Sequence, residues 1–346
     1  MKGFKPGISR REMLSRTYNG IGAMALANML ASDLAGSVTN PLAPRGAHFK
    51  AKAKGCIFLF MVGGVSQMDS FEYKPLLKKY EGKRLPPMPK VTGELAGFLD
   101  QPHRIIPSPF EFKRYGQRGM HVSTLFPAIG ELVDDLAFIH GIKVDNNNHG
   151  PATMHVTTGS QLQGSPSVGA WVTYGLGTEN QNLPGYVVVQ DPRGAPVNGS
   201  AVWGNGYLPA TYQGTVFKGS GTPILDLARP AGLTAERQRR EFDELRFLNE
   251  EHRREHPEVS ELEARISAYE LAFRMQTEAP EAVDISKETD ATRTLYGLDN
   301  PITEPFGRQC LMARRLVERG VRHVLLTHGV EIGRYSWDDH GNIGER

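Results

Sequence analysis

The sequence predicts an α/β fold, a mostly parallel sheet flanked by helices. Three observations predict it. Short apolar runs recur along the 346 residues: Cys56 to Val62, Leu136 to Ile139, Tyr186 to Val189, and Val321 to Leu326. Helical patterns lie between them. Polar loops carrying Asp, His and Asn follow several of the runs. A continuous apolar run of roughly four to eight residues reads as a strand buried on both faces. Strands alternating with helices indicate parallel pairing, and a chain of this length can bury a large single core.

Taken in order, the N-terminus reads as an address. Ser9-Arg10-Arg11-Glu12-Met13-Leu14 precedes a mild apolar stretch from Gly20 to Ala31. A basic segment before a short apolar one is the layout of a secretory signal, and the arginine pair resembles a twin-arginine export signal. The stretch is too short and too interrupted to span a bilayer well. Ala31-Ser32 and Ala35-Gly36 both fit as cleavage sites. Residues 1–36 are therefore set aside as a signal, and the basic, Pro-bearing residues 37–53 as a linker. Residues 54–346 form the domain.

Within that domain the run from Cys56 ends in Gly63-Gly64, as a strand does before a turn. Ser123 is placed to cap a helix over Leu125 to Val133. Residues 233–275 differ from the rest. Thr234 to Glu255 is a highly charged helix, Pro257 breaks it, and a second helix runs from about Ser260 to Met275. This predicts an exposed helical hairpin with a solvated face. Phe306 to Glu318 is amphipathic and closes at Gly320. Cys56 and Cys310 read as small core residues, not as a disulfide framework.

Composition excludes one class of partner. The formal charge is +2. Lys2, Lys5, Arg10, Arg11 and Arg16 against Glu12 and Asp33 place +3 in the signal and leave the body at −1. A body so near neutrality carries no electrostatic footprint for nucleic acid.

Ligands of parallel α/β sheets bind beyond the carboxyl ends of the strands. Asp69 follows the first run, the Asp145-Asn146-Asn147-Asn148-His149 loop follows the second, and His328, Asp338 and His340 follow the last. Asp and His from separate strand ends make a hard-to-borderline cation site. The simpler structural roles are a cap on the following helix for Asp69, turn chemistry for the Asn run and a chain end for Asp338-Asp339. His103, His252 and His256 are given no role, and His121 and His155 are left open.

The same loops resemble a bacterial family. Phe58 to Phe71, Thr158-Gly159-Ser160, Gly177 to Pro184, Ala268 to Met275 and Trp337-Asp338-Asp339-His340-Gly341-Asn342 are similar to the family called domain of unknown function 1501. That family is grouped with alkaline phosphatases and sulfatases, and its members usually carry a twin-arginine signal. The resemblance implies an alkaline phosphatase-like sheet with a metal-binding carboxylate after the first strand, where Asp69 stands. It implies a reactive residue at a helix start nine positions before Thr158-Gly159, where His149 stands. Pro151 falls on the sulfatase proline, and Thr153 falls on the sulfatase arginine. It also implies further metal-binding segments after residue 346, so the fold is expected to be incomplete at its C-terminus.

The expectation is an exported, periplasmic hydrolase-like protein of this superfamily acting on a sulfate or phosphate ester, with a sulfated or phosphorylated glycan as substrate. Asp69, His149, Asp338 and His340 would hold a divalent metal (Zn, Mn, Mg or Ca), with His149 in the catalytic position. Arg10 and Arg11 would engage the twin-arginine machinery, and the mature protein would have no stable membrane span. Two alternatives stay open: a non-catalytic binding protein on the same fold, and an inactive fragment of a longer protein.

Overall fold

Four strands lie side by side, all parallel, in the order β1-β6-β4-β5. The structure is a computed structural model, and it describes residues 40–85, 104–146, 148–224, 227–256 and 260–330, together with Trp337, Asp338 and Ile343. The strands are β1 (Cys56–Met61), β4 (Tyr186–Gln190), β5 (Thr215–Lys218) and β6 (His323–His328). A separate antiparallel hairpin joins β2 (Phe112–Tyr115) to β3 (Met120–Ser123). The helices are α1 (Gln67–Ser70), α2 (Leu76–Lys79), α3 (Pro127–Glu131), α4 (His149–Thr158), α5 (Val168–Leu176), α6 (Ala235–Glu255), α7 (Ser260–Val283), α8 (Asp290–Leu295) and α9 (Glu304–Glu318).

The predicted α/β class therefore holds, with a parallel sheet covered by helices on both faces. Side chains alternate across a strand, and β4 and β6 show the consequence. Val187, Val189, Val324 and Leu326 pack with Met312 and Leu316 of α9 and with Met275 and Ala279 of α7. Tyr186, Val188 and Leu325 point the other way, onto Met154 of α4 and onto Val202 and Trp203. Each such Val or Leu contributes about 1.5–3 kcal/mol by leaving water, so the two central strands are the most strongly anchored part of the sheet.

Four sequence expectations need correction. β1 is an edge strand, not one buried on both faces. Phe58 and Phe60 enter the core, but Ile57 and Leu59 are 38% and 48% exposed. Among the described strands β1 pairs only with β6, and Val317 of α9 lies close to Gly55, just before β1. Cys56 is exposed for the same reason, while Cys310 is half-buried against the core and burial pushes its thiol up to about 11. Leu136 to Ile139 is not a strand. It follows a short 3-10 turn and pairs with no described strand. Ser123 does not cap a long helix either. It ends β3, its hydroxyl accepts from the Leu125 N–H, and α3 begins only at Pro127.

The hairpin is as expected at its start, where the Thr234 side chain accepts from the Arg237 N–H. Its second helix runs on past Met275, through Pro280, to Val283. At the other end of the domain α9 closes with Gly320 at φ 89°. Residues 40–45, inside the stretch read as a linker, are tied to the body: Arg45 N–H donates to Leu176 and Thr178 N–H donates to Leu42. No described helix is long and apolar enough to cross a membrane.

Candidate functional site

The carboxyl ends of β1 and β6 are joined by more than their ladder. Val62 N–H donates to His328 O, one step past the strand register. Trp337 then lies back across both ends. Its backbone N–H donates to Val62 O at 2.9 Å, and its indole Nε1 donates to His328 Nδ1 at 3.0 Å. Its ring stacks on Phe126, with centroids 6.2 Å apart. Because His328 Nδ1 accepts, a neutral ring carries its proton on Nε2. Burial pushes the His328 pKa down and favours that neutral ring, against the pull of nearby Asp191.

Trp337 fixes where the next residue goes. Asp338 Oδ2 lies 3.0 Å from His149 Nε2, and the two side chains are 13% and 30% exposed. His149 is the first residue of α4. The Asn148 side chain caps that helix by accepting from Gly150 N–H at 3.1 Å, and Asn146 Oδ1 accepts from Asn148 N–H. The asparagine run is thus turn and cap chemistry, and its effect is to present His149. Asn198 secures the same point from outside: its Nδ2 donates to Gly150 O at 2.7 Å. It is the one described non-glycine residue in the left-handed region, at φ 72°. Gly159, at φ 79°, closes α4.

A buried clasp lies beside this centre. Asp191, at the end of β4, accepts from Arg193 Nε at 2.8 Å, from Arg193 Nη2 at 2.6 Å and from the Gly329 N–H at 2.7 Å. Burial alone would raise its pKa, but the hydrogen bonds from the Arg193 side chain and backbone and from Gly329 outweigh it and hold the carboxyl below its ordinary value. The clasp ties the exit of β4 to that of β6.

Of the four expected metal ligands, the structure brings His149 and Asp338 together. Asp69 stands in the first turn of α1, half-exposed. Among the described residues no three His, Cys, Asp or Glu side chains gather to hold an ion. His340 lies outside the described residues, as do Arg10 and Arg11. The pair that meets is chemically suitable for Zn²⁺ or Mn²⁺. Two ligands about 2.0–2.1 Å from one tetrahedral ion stand about 3.3 Å apart, so the 3.0 Å separation fits shared coordination or an ion pair. His121 stacks on Tyr73, and His252 packs on His256. Sequence reasoning missed Trp337, Asp191, Arg193 and Asn198 as parts of the site. Only Trp337 and Asn198 left a sequence signal, one beside the Asp338 motif and one before a glycine.

No curated protein and no solved structure matches the chain. The model of the family described as "Protein of unknown function (DUF1501)" matches residues 53–346, and the chain belongs to the DUF1501 family.

Proposed function

We propose that this DUF1501 protein is an exported, alkaline phosphatase-like hydrolase that cleaves a sulfate or phosphate ester at the His149–Asp338 centre. One observation carries the reading: an imidazole and a carboxylate from distant loops meet at 3.0 Å beyond the carboxyl ends of a parallel sheet. This is where such sheets bind ligands. His149 and Asp338 present the donors that a divalent cation takes, with Asp69 and His340 as the further ligands expected from the sequence. When bound, such an ion supplies Lewis-acid stabilisation to the developing negative charge of the ester.

The chain's own residues do the rest. Asp338 orients the His149 ring, Trp337 holds Asp338 in place, and Asn148 and Asn198 fix the start of α4. The ion-pair contact of His149 and Asp338 also favours a second role, in which His149 acts as acid or base with the Asp338 carboxylate beside it. The proposed substrate is a sulfated or phosphorylated glycan outside the cytoplasm, reached by twin-arginine export through Arg10 and Arg11.

The test is metal analysis of the purified protein together with turnover of an aryl sulfate and an aryl phosphate. Stoichiometric Zn²⁺ or Mn²⁺ and turnover, both lost in His149→Ala, support the metal reading. Turnover without metal, lost in the same variant, selects the acid–base pair. Neither metal nor turnover sinks the hydrolase reading and leaves a binding protein. Retention of Arg10→Lys/Arg11→Lys protein in the cytoplasm supports export, and unchanged export overturns it.

A further inference from the structure

We propose that a second site, a cleft beyond β5, binds a small amphipathic anion, its sulfate, phosphate or carboxylate head on Arg293 and its apolar body on Ile224, Leu227 and Met312. The cleft has a volume of about 1050 Å³, at the upper end of ligand pockets, which run from roughly 300 to 1,000 Å³. It opens at the carboxyl end of β5, the sheet edge opposite β1, and it is built from different elements than the His149–Asp338 centre.

Its floor and rim differ in chemistry. Ile224, Leu227, Val283 and Met312 line it, and all four belong to or pack against the main core cluster. Their outer surfaces are the apolar floor. The wall is the loop Gly219-Ser220-Gly221-Thr222. That loop sits so close to the sheet end that a Cβ on Gly219 would stand 2.7 Å from Gln190 O and 2.8 Å from Gln309 Nε2. The wall is therefore fixed at its base, and its Ser and Thr hydroxyls supply hydrogen-bond donors.

The rim is cationic. Arg229, Arg293 and Arg308 line the cleft against a single lining carboxylate, Asp284. Arg308 is paired with Glu304, and Arg229 Nε donates to Gln238. Asp284 Oδ1 accepts from the Ser286 N–H at 2.9 Å, and its pKa is lowered first by the Ser286 hydrogen bonds. Arg293 is half-buried and has no ion-pair partner among the described residues. A guanidinium held at the edge of an apolar floor without a carboxylate is a ready donor to an anionic head, which it can bind bidentately. An anion lacking an apolar body would forgo the floor, and a neutral apolar molecule would leave Arg293 unpaired.

Binding of naphthalene-2-sulfonate and of neutral 2-naphthol to the full chain, followed by calorimetry, tests this. Two variants are read beside the wild type: Arg293→Glu, which reverses the head-group charge, and Ala228→Trp, which fills the cleft from an exposed position. Thermal melts confirm that both remain folded. The sulfonate should bind saturably and more tightly than the naphthol, and each variant should weaken it about tenfold, the worth of a charge-assisted contact. No saturable sulfonate binding overturns the proposal, as does binding that neither variant alters. Equal binding of sulfonate and naphthol, lost only in Ala228→Trp, overturns the anion assignment. Aryl ester turnover at His149 is unaffected by either variant, so failure here is separate from failure there.

Discussion

His149 Nε2 and Asp338 Oδ2 stand 3.0 Å apart, although one begins a helix and the other follows the last described strand. Nothing local brings them together. Asp338 is carried there by Trp337, whose N–H is spent on Val62 O, and His149 is presented by the cap on α4. Asp338→Asn keeps the shape but removes the charge that faces His149. We expect aryl ester turnover to fall about 100-fold, as for loss of a group that tunes an acid–base partner, with the melting temperature little changed. Unchanged turnover in Asp338→Asn, measured beside a His149→Ala variant that is inactive, would remove Asp338 from the mechanism.

Trp337→Phe isolates the positioning role. Phenylalanine keeps the stack on Phe126 but loses the indole donor, leaving His328 Nδ1 without it. A half-buried acceptor deprived of its partner costs about 1 kcal/mol. Chemical denaturation should show that loss. Turnover should fall as well, with kcat affected more than KM, because without the indole bond to His328 Asp338 is held less firmly while the substrate contacts remain. A loss of stability with kinetics intact would make Trp337 purely structural.

The fold was legible where burial is uniform and obscure where structure depends on pairing. β4 and β6 sit in the sheet centre, so their sequences, Tyr186 to Val189 and Val324 to Leu326, are apolar on both faces and announce themselves. β5 was missed because an edge strand of four residues, with Thr215 and Lys218 at its ends, has no such run. Leu136 to Ile139 has the run but pairs with no described strand, and so is irregular. The same holds for the site. Asp69, His149 and Asp338 could be named as polar groups in loops that follow apolar runs, although the run before His149 is no strand. The Asp191–Arg193 clasp and the Trp337–His328 bond could not, since both depend on which strand exits lie side by side.

Acid should weaken the fold through two groups. His323 is buried against the Tyr186 ring, 5.1 Å between centroids, and burial pushes its pKa down to about 4 from 6.5. The unfolded chain takes up this proton below 6.5 while the folded chain does not until about 4. Stability is therefore lost as pH falls through that window. In His323→Leu the slope between pH 6.5 and 4 should flatten, measured as denaturation midpoint against pH. An unchanged slope would assign the window to other groups.

Asp191 acts further down the scale. Its pKa is held below 3.8, so the stability it provides is present above that value and is lost as pH falls below it. Asp191→Asn should remove this acid limb and cost about 2 kcal/mol at neutral pH. That is less than the roughly 3–5 kcal/mol of a fully buried pair, because the Arg193 side chain is 39% exposed and partly screened. A neutral-pH loss with the acid limb still present would mean that the clasp acts by packing and not by charge.

Two helical glycines, Gly307 buried and Gly175 exposed, make opposite predictions. A Cβ on Gly307, in the first turn of α9, would lie 1.8 Å from the Tyr296 carbonyl oxygen. Backbone cannot swing aside as a flexible side chain does, so α9 must move off the turn that follows α8. Overpacking of this kind costs about 3 kcal/mol, and Gly307→Ala should lower the denaturation midpoint accordingly. Gly175, in the last turn of α5, has nothing within 4 Å of the same position. Alanine there gains helix propensity without a clash, and Gly175→Ala should stabilise by about 0.5 kcal/mol. Equal effects from both substitutions would show that α9 does not press on Tyr296, and with it that the packing of α9 against the main core is looser than the 1.8 Å approach requires.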